Sequence, residues 1–483
     1  MEFIDQTMRD GPQSHWGMRL HPDMVLPIAP LLDRAGFKTL DVAGSSIFEI
    51  QVRHLRVDPW QALDDIVAAC PQTPIRAGTR SNGMVSFGLT ADEVMDLWVR
   101  RLCAHGVRSF WIYDGLFNID KMERLAKVAM GAGAEVAPCI LFARSPFHTD
   151  EYYAERTREL AALEGVSAIE FEDAAGVLEP ERARTLLPLM VKAAGSLPLE
   201  VHFHTNTGLA QLCYLEALKA GVRIVHTVSR PLANGPSLPS GEAMRANVIN
   251  SGYTTNLDDR DFPAVAAQIE RVAAVDGLPV GHANEYEVST YQHQLPGGMT
   301  GTMRNQLAER GEAERLPEVL EEMGRVRQEL GFPVMATPFS QLVGTQAVLN
   351  VIGAERYRLV PDEVIIYVNG HYGQPVAPID PDVVDRIQSS KRGREMRDWE
   401  PPQPTIAELR RTFGDVPDDE LLLRIVVPGH FIDAAREDPA PRRDYSLDNH
   451  QLALVKELLR RAPGEHLHVE ADGVTITLEG RAG

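Results

Sequence analysis

Two histidines separated by one residue form the most specific chemical signal in this sequence, His202-Phe203-His204. They fall within a predicted strand, Leu199–His204, and side chains two residues apart on a strand point to the same face. Two imidazoles on one face, with a carboxylate across from them, form a divalent-metal site. Asp10, just after the first predicted strand, is the candidate carboxylate. The alternatives are a hydrogen-bonded pair of core histidines and, for Asp10, a helix cap or a turn-forming residue.

Three further residues could act on a bound substrate. Arg80 follows the third predicted strand, where a guanidinium suits bidentate binding of a carboxylate, although an ordinary ion pair explains it equally well. Gln13 is close to Asp10 in the chain, and a neutral donor there suits a bound carboxylate or carbonyl; its alternative is a solvated loop residue. Thr337 precedes a predicted helix, so its hydroxyl is either a helix cap or a group that passes a proton.

These residues need a scaffold that brings distant parts of the chain together. From the N-terminus to about Ser229, short apolar runs alternate with helical patterns, which is typical of a parallel sheet wrapped by helices. The eight candidate strands are Glu2–Thr7, Thr39–Ala43, Ile75–Thr79, Ser109–Tyr113, Glu135–Leu141, Ala168–Glu172, Leu199–His204 and Ile224–Val228. Eight such strands predict a closed (β/α)8 barrel, in which reactive groups lie at the C-terminal strand ends. The alternative, an open doubly wound sheet, needs a glycine-rich first turn that residues 8–13 lack.

Beyond the barrel the pattern becomes mainly helical, with apolar spacing over Leu316–Leu330 and Ser340–Ile352. We therefore predict a barrel domain over residues 1–290 and a helical region over residues 291–436. The proline-rich stretch Pro401–Pro404 interrupts that region.

The composition excludes several classes of protein. The 483 residues include 48 Lys and Arg against 68 Asp and Glu, a formal net charge of −20, which argues against nucleic acid as a partner. The four cysteines form no CxxC pair, which argues against a disulfide framework and a structural zinc site. The N-terminus lacks the features of a signal peptide, and no apolar stretch is long enough to cross a bilayer. We expect a cytoplasmic protein with a small-molecule substrate and no membrane partner.

The candidate site residues named above lie in sequence stretches that resemble, in the same order along the chain, those of the carboxyltransferase family. That family includes the catalytic domain of pyruvate carboxylase, the α subunit of oxaloacetate decarboxylase and the keto-acid subunit of transcarboxylase. The matching stretches are Asp5–Ser14, Asp58–Trp60, Asp173–Gly176, His202–Ala210, Gln294–Met299, Thr337–Asn350 and Asp380-Pro381. The resemblance extends from the first strand to about Ala435.

The resemblance implies a metal-containing (β/α)8 TIM barrel followed by a helical funnel. By position, it implies that Asp10, His202 and His204 are metal ligands. It implies that Gln13 and Arg80 contact a 2-oxo acid. Thr337 matches a threonine that passes a proton between enolate and biotin. The implied reaction is carboxyl transfer or decarboxylation on an oxaloacetate- or pyruvate-type acid, with a divalent cation (Zn, Mn or Co) that stabilises an enolate. A homodimer is also implied, and biotin on a separate carrier protein is the second implied cofactor.

One position departs from the family. Where the family has a carbamylated lysine that bridges to the metal, this chain has Glu172, and none of its seven lysines falls at the C-terminal end of a predicted strand. A glutamate keeps the negative charge but ends roughly 3–4 Å nearer the backbone. We therefore expect Glu172 to bind the metal only if the site contracts or through a water. Three interpretations are open: altered chemistry, a carboxylate of unchanged function, and loss of catalysis.

The C-terminal tail bears on the partner. Residues 444–481 are predicted as a small α/β unit, with a helix over His450–Arg461 and strands over Leu467–Glu470 and Val474–Leu478. This tail is similar to the segment that often precedes biotinyl domains. Because the sequence starts with the barrel and holds no biotinyl motif, we expect any biotin to be on another protein.

Three functions are consistent with these observations. The first is a metal-dependent carboxyltransferase or decarboxylase that acts on a 2-oxo acid. The second is an aldolase- or Claisen-type lyase that uses the same enolate without biotin, which would make Glu172 less unusual. The third is a non-catalytic member of the family.

Overall fold

Eight parallel strands pair in chain order and close into a barrel, because the first strand also pairs with the eighth. The strands are β1 (Glu2–Asp5), β2 (Thr39–Gly44), β3 (Ile75–Arg80), β4 (Val107–Tyr113), β5 (Glu135–Leu141), β6 (Ile169–Asp173), β7 (Leu199–Phe203) and β8 (Ile224–Thr227). This computed structural model describes residues 1–445 except 86–87, 298, 300–302, 304–306 and 309–310, together with residues 467–471 and 474–478. The predicted (β/α)8 barrel and its eight strands are confirmed.

Helices cover the outside of the barrel. They are α1 (Asp10–Trp16), α2 (Pro22–Val25), α3 (Ala29–Asp33), α4 (Ser45–Leu55), α5 (Pro59–Ala69), α6 (Asp92–Ala104), α7 (Ile119–Gly131), α8 (Asp150–Ala161), α9 (Pro180–Ala194), α10 (Ala210–Ala220), α11 (Gly241–Asn250) and α12 (Phe262–Asp276). Several begin at a side-chain cap; for example, the Asp58 carboxylate accepts from the backbone N–H groups of Trp60 and Gln61 at the start of α5.

The alternation of residues along β6 and β7 explains what the barrel contains. Phe171 and Phe203 are buried in the apolar core shared with the outer helices, and the Phe203 ring lies 5.1 Å from that of Tyr214 on α10. The residues between them therefore face the barrel axis. On these two strands the inward residues are Glu170, Glu172, Glu200 and His202. On these two strands the inward side chains are therefore polar or charged rather than aliphatic.

A tryptophan occupies the opposite side of the interior. The indole N–H of Trp111 on β4 donates to Asp41 Oδ2 at 2.9 Å, and the Arg9 guanidinium lies 4.9 Å from the indole centroid. A Cβ on the neighbouring Gly78 would approach the indole ring to 2.3 Å. Glycine at this position of β3 therefore gives Trp111 the space to hold Arg9, next to Asp10, in place.

A second group of helices follows the barrel: α13 (Thr290–His293), α14 (Leu316–Glu329), α15 (Phe339–Ile352), α16 (Asp362–Val368), α17 (Pro381–Ser389), α18 (Lys391–Glu395), α19 (Ile406–Phe413), α20 (Asp418–Val426) and α21 (Gly429–Glu437). Side chains of α14 to α17 form an apolar core separate from that of the barrel. The amide of Gln294 ties this region to the barrel, since it donates to and accepts from the backbone of Arg144, each at 2.9 Å.

The last helices pack elsewhere. Leu422 on α20 and Ile432 on α21 belong to the barrel core, and Asp419 accepts from Arg101 on α6 at 2.6 and 2.9 Å. The predicted helical region thus covers both the barrel mouth and one outer flank. The two predicted tail strands are present as the antiparallel pair β9 (Leu467–Ala471) and β10 (Val474–Leu478).

Two further predictions concern the tail helix and membrane-spanning segments. The predicted tail helix, His450–Arg461, lies outside the described residues. Among the residues that are described, no helix combines the length and the apolar character needed to span a membrane.

Candidate active site

Three side chains meet at the C-terminal mouth of the barrel. His202 lies on β7, His204 follows it, and Asp10 begins α1. The two Nε2 atoms are 3.1 Å apart, and Asp10 oxygens lie 3.5 Å from His204 Nε2 and 4.0 Å from His202 Nε2. Two ligands about 2.0–2.1 Å from a tetrahedral cation are about 3.3 Å apart. The triad therefore has a spacing close to that of a divalent-metal site, and its donor set of two nitrogens and one carboxylate suits Zn, Mn or Co.

The environment of the triad suits a cation, although the Nε2–Nε2 distance of 3.1 Å also fits the alternative interpretation, a hydrogen-bonded pair of core histidines. His202 is fully buried. Burial, followed by the nearby His204, His226 and Arg9, lowers the pKa of His202 well below its ordinary 6.5. A neutral imidazole keeps a lone pair for a cation.

The local structure also tests the interpretation of Asp10 as a helix cap. Arg9, not Asp10, is the N-cap of α1, and no side chain caps this helix end. The Asp10 carboxylate instead accepts from Arg9 Nη1 at 3.1 Å and from Ser14 Oγ at 3.2 Å. These two donors hold the carboxylate beside the histidines. The cap interpretation of Asp10 is therefore wrong.

Glu172 lies beside the triad in a neighbouring group. It pairs with His202 in the β6–β7 register, and the Cys139 thiol donates to its Oε2 at 3.7 Å. Its carboxylate forms a cluster with Cys139 and Glu170. It also lines a cleft with Gln294 between the barrel and residues 334–336. That Glu172 itself binds the metal stays a prediction.

The carboxyl of Glu172 is set to titrate near neutral pH. Burial raises its pKa to about 7, although Arg9 and His204 partly oppose the shift. Because the folded form holds its proton more tightly than the unfolded chain does, the associated stability is complete below pH 4.5, the ordinary pKa, and is lost as the pH rises through about 7.

Glu172→Gln is therefore expected to remove this pH dependence. In metal-free protein, at about 1.4 kcal/mol per pKa unit, wild type should lose about 2 to 3 kcal/mol of unfolding free energy relative to the variant between pH 5 and pH 8. Urea unfolding of both proteins in EDTA at the two pH values measures the difference. Parallel pH profiles would show that Glu172 is ionised throughout.

Arg80 and Thr337 are brought together through Tyr113. Arg80 ends β3 opposite Tyr113 on β4, and burial lowers the pKa of its guanidinium. The Tyr113 hydroxyl donates to the Thr337 carbonyl at 3.4 Å. Phe339 packs closely against Gly115 beside this contact, since a Cβ on Gly115 would approach the Phe339 ring to 2.4 Å. The start of α15 thus lies on the barrel mouth, next to the end of β3.

The two remaining questions concern Thr337 and Gln13. Pro338 is the N-cap of α15, which has no side-chain cap, so the Thr337 hydroxyl is not the predicted cap. Gln13 is exposed on α1, one turn beyond Asp10. Its predicted contact with a substrate stays a prediction.

Below the triad lies a charged network that the sequence analysis did not identify. Arg76 Nη2 lies 2.5 Å from Glu170 Oε2 and 2.8 Å from Glu200 Oε2. Burial opposes ionisation of Glu200, but Arg76 and His226 outweigh it and lower its pKa to about 2. His226 on β8 lies with its Nδ1 3.0 Å from His202 Nδ1. The strand alternation that identified His202 and His204 as residues of one face also includes Glu200. The sequence therefore contained the pattern that predicts an inward-facing Glu200.

Comparison with protein families gives two matches. Residues 290–477 match the model described as a conserved carboxylase domain. Residues 117–229, which include β5 to β8, match the HMGL-like model.

Several curated proteins are similar over most of the chain. A pyruvate carboxylase subunit of Methanocaldococcus jannaschii is 35% identical over 390 residues, covering 80% of this chain and 68% of the relative. The 2-oxoglutarate carboxylase large subunit of Hydrogenobacter thermophilus is 31% identical over 438 residues, covering 88% and 67%. The methylmalonyl-CoA carboxyltransferase 5S subunit of Propionibacterium freudenreichii subsp. shermanii is 28% identical, covering 88% and 85%.

Solved structures agree on the fold. The carboxyl transferase domain of Rhizobium etli pyruvate carboxylase, solved with pyruvate, superposes with a TM-score of 0.84 at 23% identity, covering 99% of this chain and 83% of that chain. At this identity the match supports the architecture alone.

Fold and site together define an α/β barrel with a candidate cation site at its mouth and a helical region packed beside that mouth. Within that class, the chain belongs to the carboxyltransferase family of the pyruvate carboxylase type. The predicted enzyme class, a carboxyltransferase for a 2-oxo acid, is confirmed at the level of the family.

Proposed function

We propose that this chain transfers a carboxyl group between a small 2-oxo acid and biotin on a partner protein, with a divalent cation held by Asp10, His202 and His204. The observation that carries the proposal is the meeting of these three buried side chains at the barrel mouth. A cation bound there would polarise the keto oxygen and stabilise the enolate.

Arg80 is proposed to bind the substrate carboxylate. Arg80 as a residue is 6% exposed at the end of β3, where its guanidinium is shielded from water and its attraction to an anion is strong. One buried guanidinium pairs with one carboxylate, which suits a monocarboxylic 2-oxo acid such as pyruvate. The larger 2-oxoglutarate, named for one relative, has a second carboxylate that needs another cation.

Thr337 is proposed to move the proton. In the carboxylation direction, its hydroxyl accepts a proton from the substrate methyl group and passes one to the biotin ring nitrogen as the nitrogen–carboxyl bond breaks. The enolate carbon then forms the new bond to the carboxyl carbon. Tyr113 supports this position, since it binds the backbone carbonyl of Thr337 rather than the side-chain hydroxyl.

The partner is inferred from the kind of relative. Three of the relatives are named as subunits of larger enzymes, and the reaction requires a biotin group. We infer that this chain works with a biotinylated carrier protein.

Turnover of oxaloacetate tests the proposed function. Purified protein loaded with Mn²⁺, Co²⁺ or Zn²⁺ is incubated with oxaloacetate, with and without a biotinylated carrier, and pyruvate is measured. We expect release of pyruvate that needs both the cation and the carrier. Absence of turnover with every cation and carrier would refute the proposal.

A related assay distinguishes the second candidate function, a lyase that works without biotin, from carboxyl transfer. Glu172 in place of the family lysine favours an enolate reaction without biotin, in which an aldehyde or acyl group replaces the carboxyl group. Metal-dependent cleavage or condensation of 2-oxo acids with aldehyde or acyl-CoA partners, in the absence of the carrier, would identify that lyase chemistry.

A further inference from the structure

A cavity of about 320 Å³ lies where the loops after β4 and β5 meet the helical region. The barrel side includes residues 115–117 and the first half of α8, and the helical side consists of residues 332–334 and 374–376. None of the residues that line the cavity is a triad residue, Arg80 or Thr337. Pockets that bind small organic molecules have this size. The cavity is therefore a candidate site for a second ligand, separate from the substrate.

Aromatic rings form much of the cavity wall. Phe147 on the barrel side and Phe332 on the helical side have their ring centroids 5.7 Å apart. The rings of Phe117 and Tyr152 also line the cavity. Aromatic side chains hold another ring by offset stacking or by edge-to-face contact. The wall therefore favours a ligand that carries an aromatic ring.

A guanidinium group lies among these rings. The Arg156 guanidinium carbon is 5.5 Å from the ring centroids of both Phe117 and Tyr152. Its carboxylate partners, Glu155 and Glu159, are on its own helix, and no acidic side chain lines the cavity. A guanidinium has five N–H donors in a planar fork that matches a carboxylate. Arg156 can therefore donate to an anion in the cavity.

His148 adds a second donor to the wall. It is 2% exposed, and burial lowers its pKa to about 3, so the imidazole is neutral and has a single N–H. Ser145 Oγ accepts from the backbone N–H groups of Phe147 and His148 at 3.1 and 3.2 Å. Its own hydrogen therefore points to His148 Nδ1, 2.7 Å away. The imidazole N–H is then at Nε2, which has no hydrogen-bond partner among the described residues.

A second guanidinium lies behind the wall without a counter-charge. Arg327 is 4% exposed, and its Nε donates to the carbonyl of Pro333, a residue of the wall, at 2.9 Å. Its Nη1 donates to the Arg144 carbonyl at 3.0 Å, and its buried Nη2 has no partner. Among the described residues no carboxylate pairs with it. Because a buried charge is costly unless it is paired, the positive charge here favours an anion in the cavity.

We propose that this cavity binds a small aromatic carboxylate, with its ring against Phe147 and Phe332. The carboxylate accepts hydrogen bonds from Arg156 and His148, and Arg327 supplies further positive charge from behind the wall. Ring and charge are both needed, since the aromatic wall alone would take a neutral hydrocarbon. The site is separate from that of the 2-oxo acid, and it does not require a cation at the triad.

Calorimetric titration with phenylacetate tests the proposal. Phenylacetate has one ring and one carboxylate, and phenylacetamide has nearly the same shape without the charge. We expect the full chain to bind phenylacetate, and to bind phenylacetamide at least about tenfold more weakly, because charge-assisted hydrogen bonds are the stronger ones. Binding of phenylacetate should persist in EDTA and in the presence of saturating pyruvate.

Two variants test the wall. Arg156→Gln removes the charge and should weaken phenylacetate binding about tenfold or more. Phe147→Ala removes a ring that is 45% exposed, so it should leave the fold intact and weaken binding at least about threefold. Arg158→Gln is the matched control, because Arg158 is an exposed arginine on the same helix, and it should bind phenylacetate like wild type.

The outcomes separate this site from the substrate site. Displacement of phenylacetate by pyruvate, or loss of its binding in Arg80→Gln, would place the ligand at the barrel mouth and overturn the proposal. A wild type that shows no binding at about 10 mM phenylacetate would also overturn it, as would equal affinities of wild type and Arg156→Gln. Each of these results leaves the carboxyltransferase proposal intact, since that proposal depends on oxaloacetate turnover.

Discussion

His202→Ala is expected to lose the cation and nearly all activity. In the proposed site His202 contributes one of three ligand atoms, and the remaining pair, Asp10 and His204, would be a poor site for a divalent ion. We expect the metal content to fall from about one per chain to below about one tenth. Carboxyl transfer should fall at least about 10³-fold, because the stabilisation of enolate charge by a cation is worth several kcal/mol.

Elemental analysis of the purified proteins measures the first effect, and oxaloacetate turnover measures the second. His148→Ala is the matched control, since it also removes a buried imidazole, and it should keep both metal and activity. Unchanged metal content in His202→Ala would refute the assignment of this ligand.

Thr337→Ala is expected to stop carboxyl transfer while the cation stays bound. Thr337 lies outside the triad, and its backbone contact with Tyr113 survives the substitution. Loss of a positioned proton-transfer group costs about 10²- to 10⁴-fold. Thr337→Ser keeps a hydroxyl and should restore most of the rate.

The readout combines biotin-dependent turnover with metal content and with exchange of the pyruvate methyl protons into D₂O. Both turnover and exchange should fall in Thr337→Ala at constant metal content. If the serine and alanine variants behave alike, the hydroxyl takes no part in proton transfer.

Much of this architecture could be predicted because side chains along each barrel strand alternate between the two faces, which gives the sequence a period of two residues. The alternation along β6 and β7 separates Phe171 and Phe203, which pack outward, from Glu172 and His202, which face inward. The same rule located the histidine pair without any structural information. The strand ends differ from the prediction by at most two residues.

Other features depend on closure of the barrel, which no local pattern reveals. His226 is a single histidine in a short apolar strand, and only the approach of β8 to β7 places it against His202. Tyr113 gains its importance from a segment more than two hundred residues away. The return of α20 to the outer flank brings Asp419 to Arg101 and Leu422 into the barrel core, and helical periodicity carries no information about such partners.

The charged interior also has a consequence for how the chain folds. Arg76 and Glu170 are separated by 94 residues, so their ion pair forms only when β3 and β6 are held in one closed sheet. Before the barrel closes, these two groups would remain hydrated. Ring closure removes water from these charges and at the same time forms the ion pair that compensates for that loss, so we expect closure to be a cooperative step of folding.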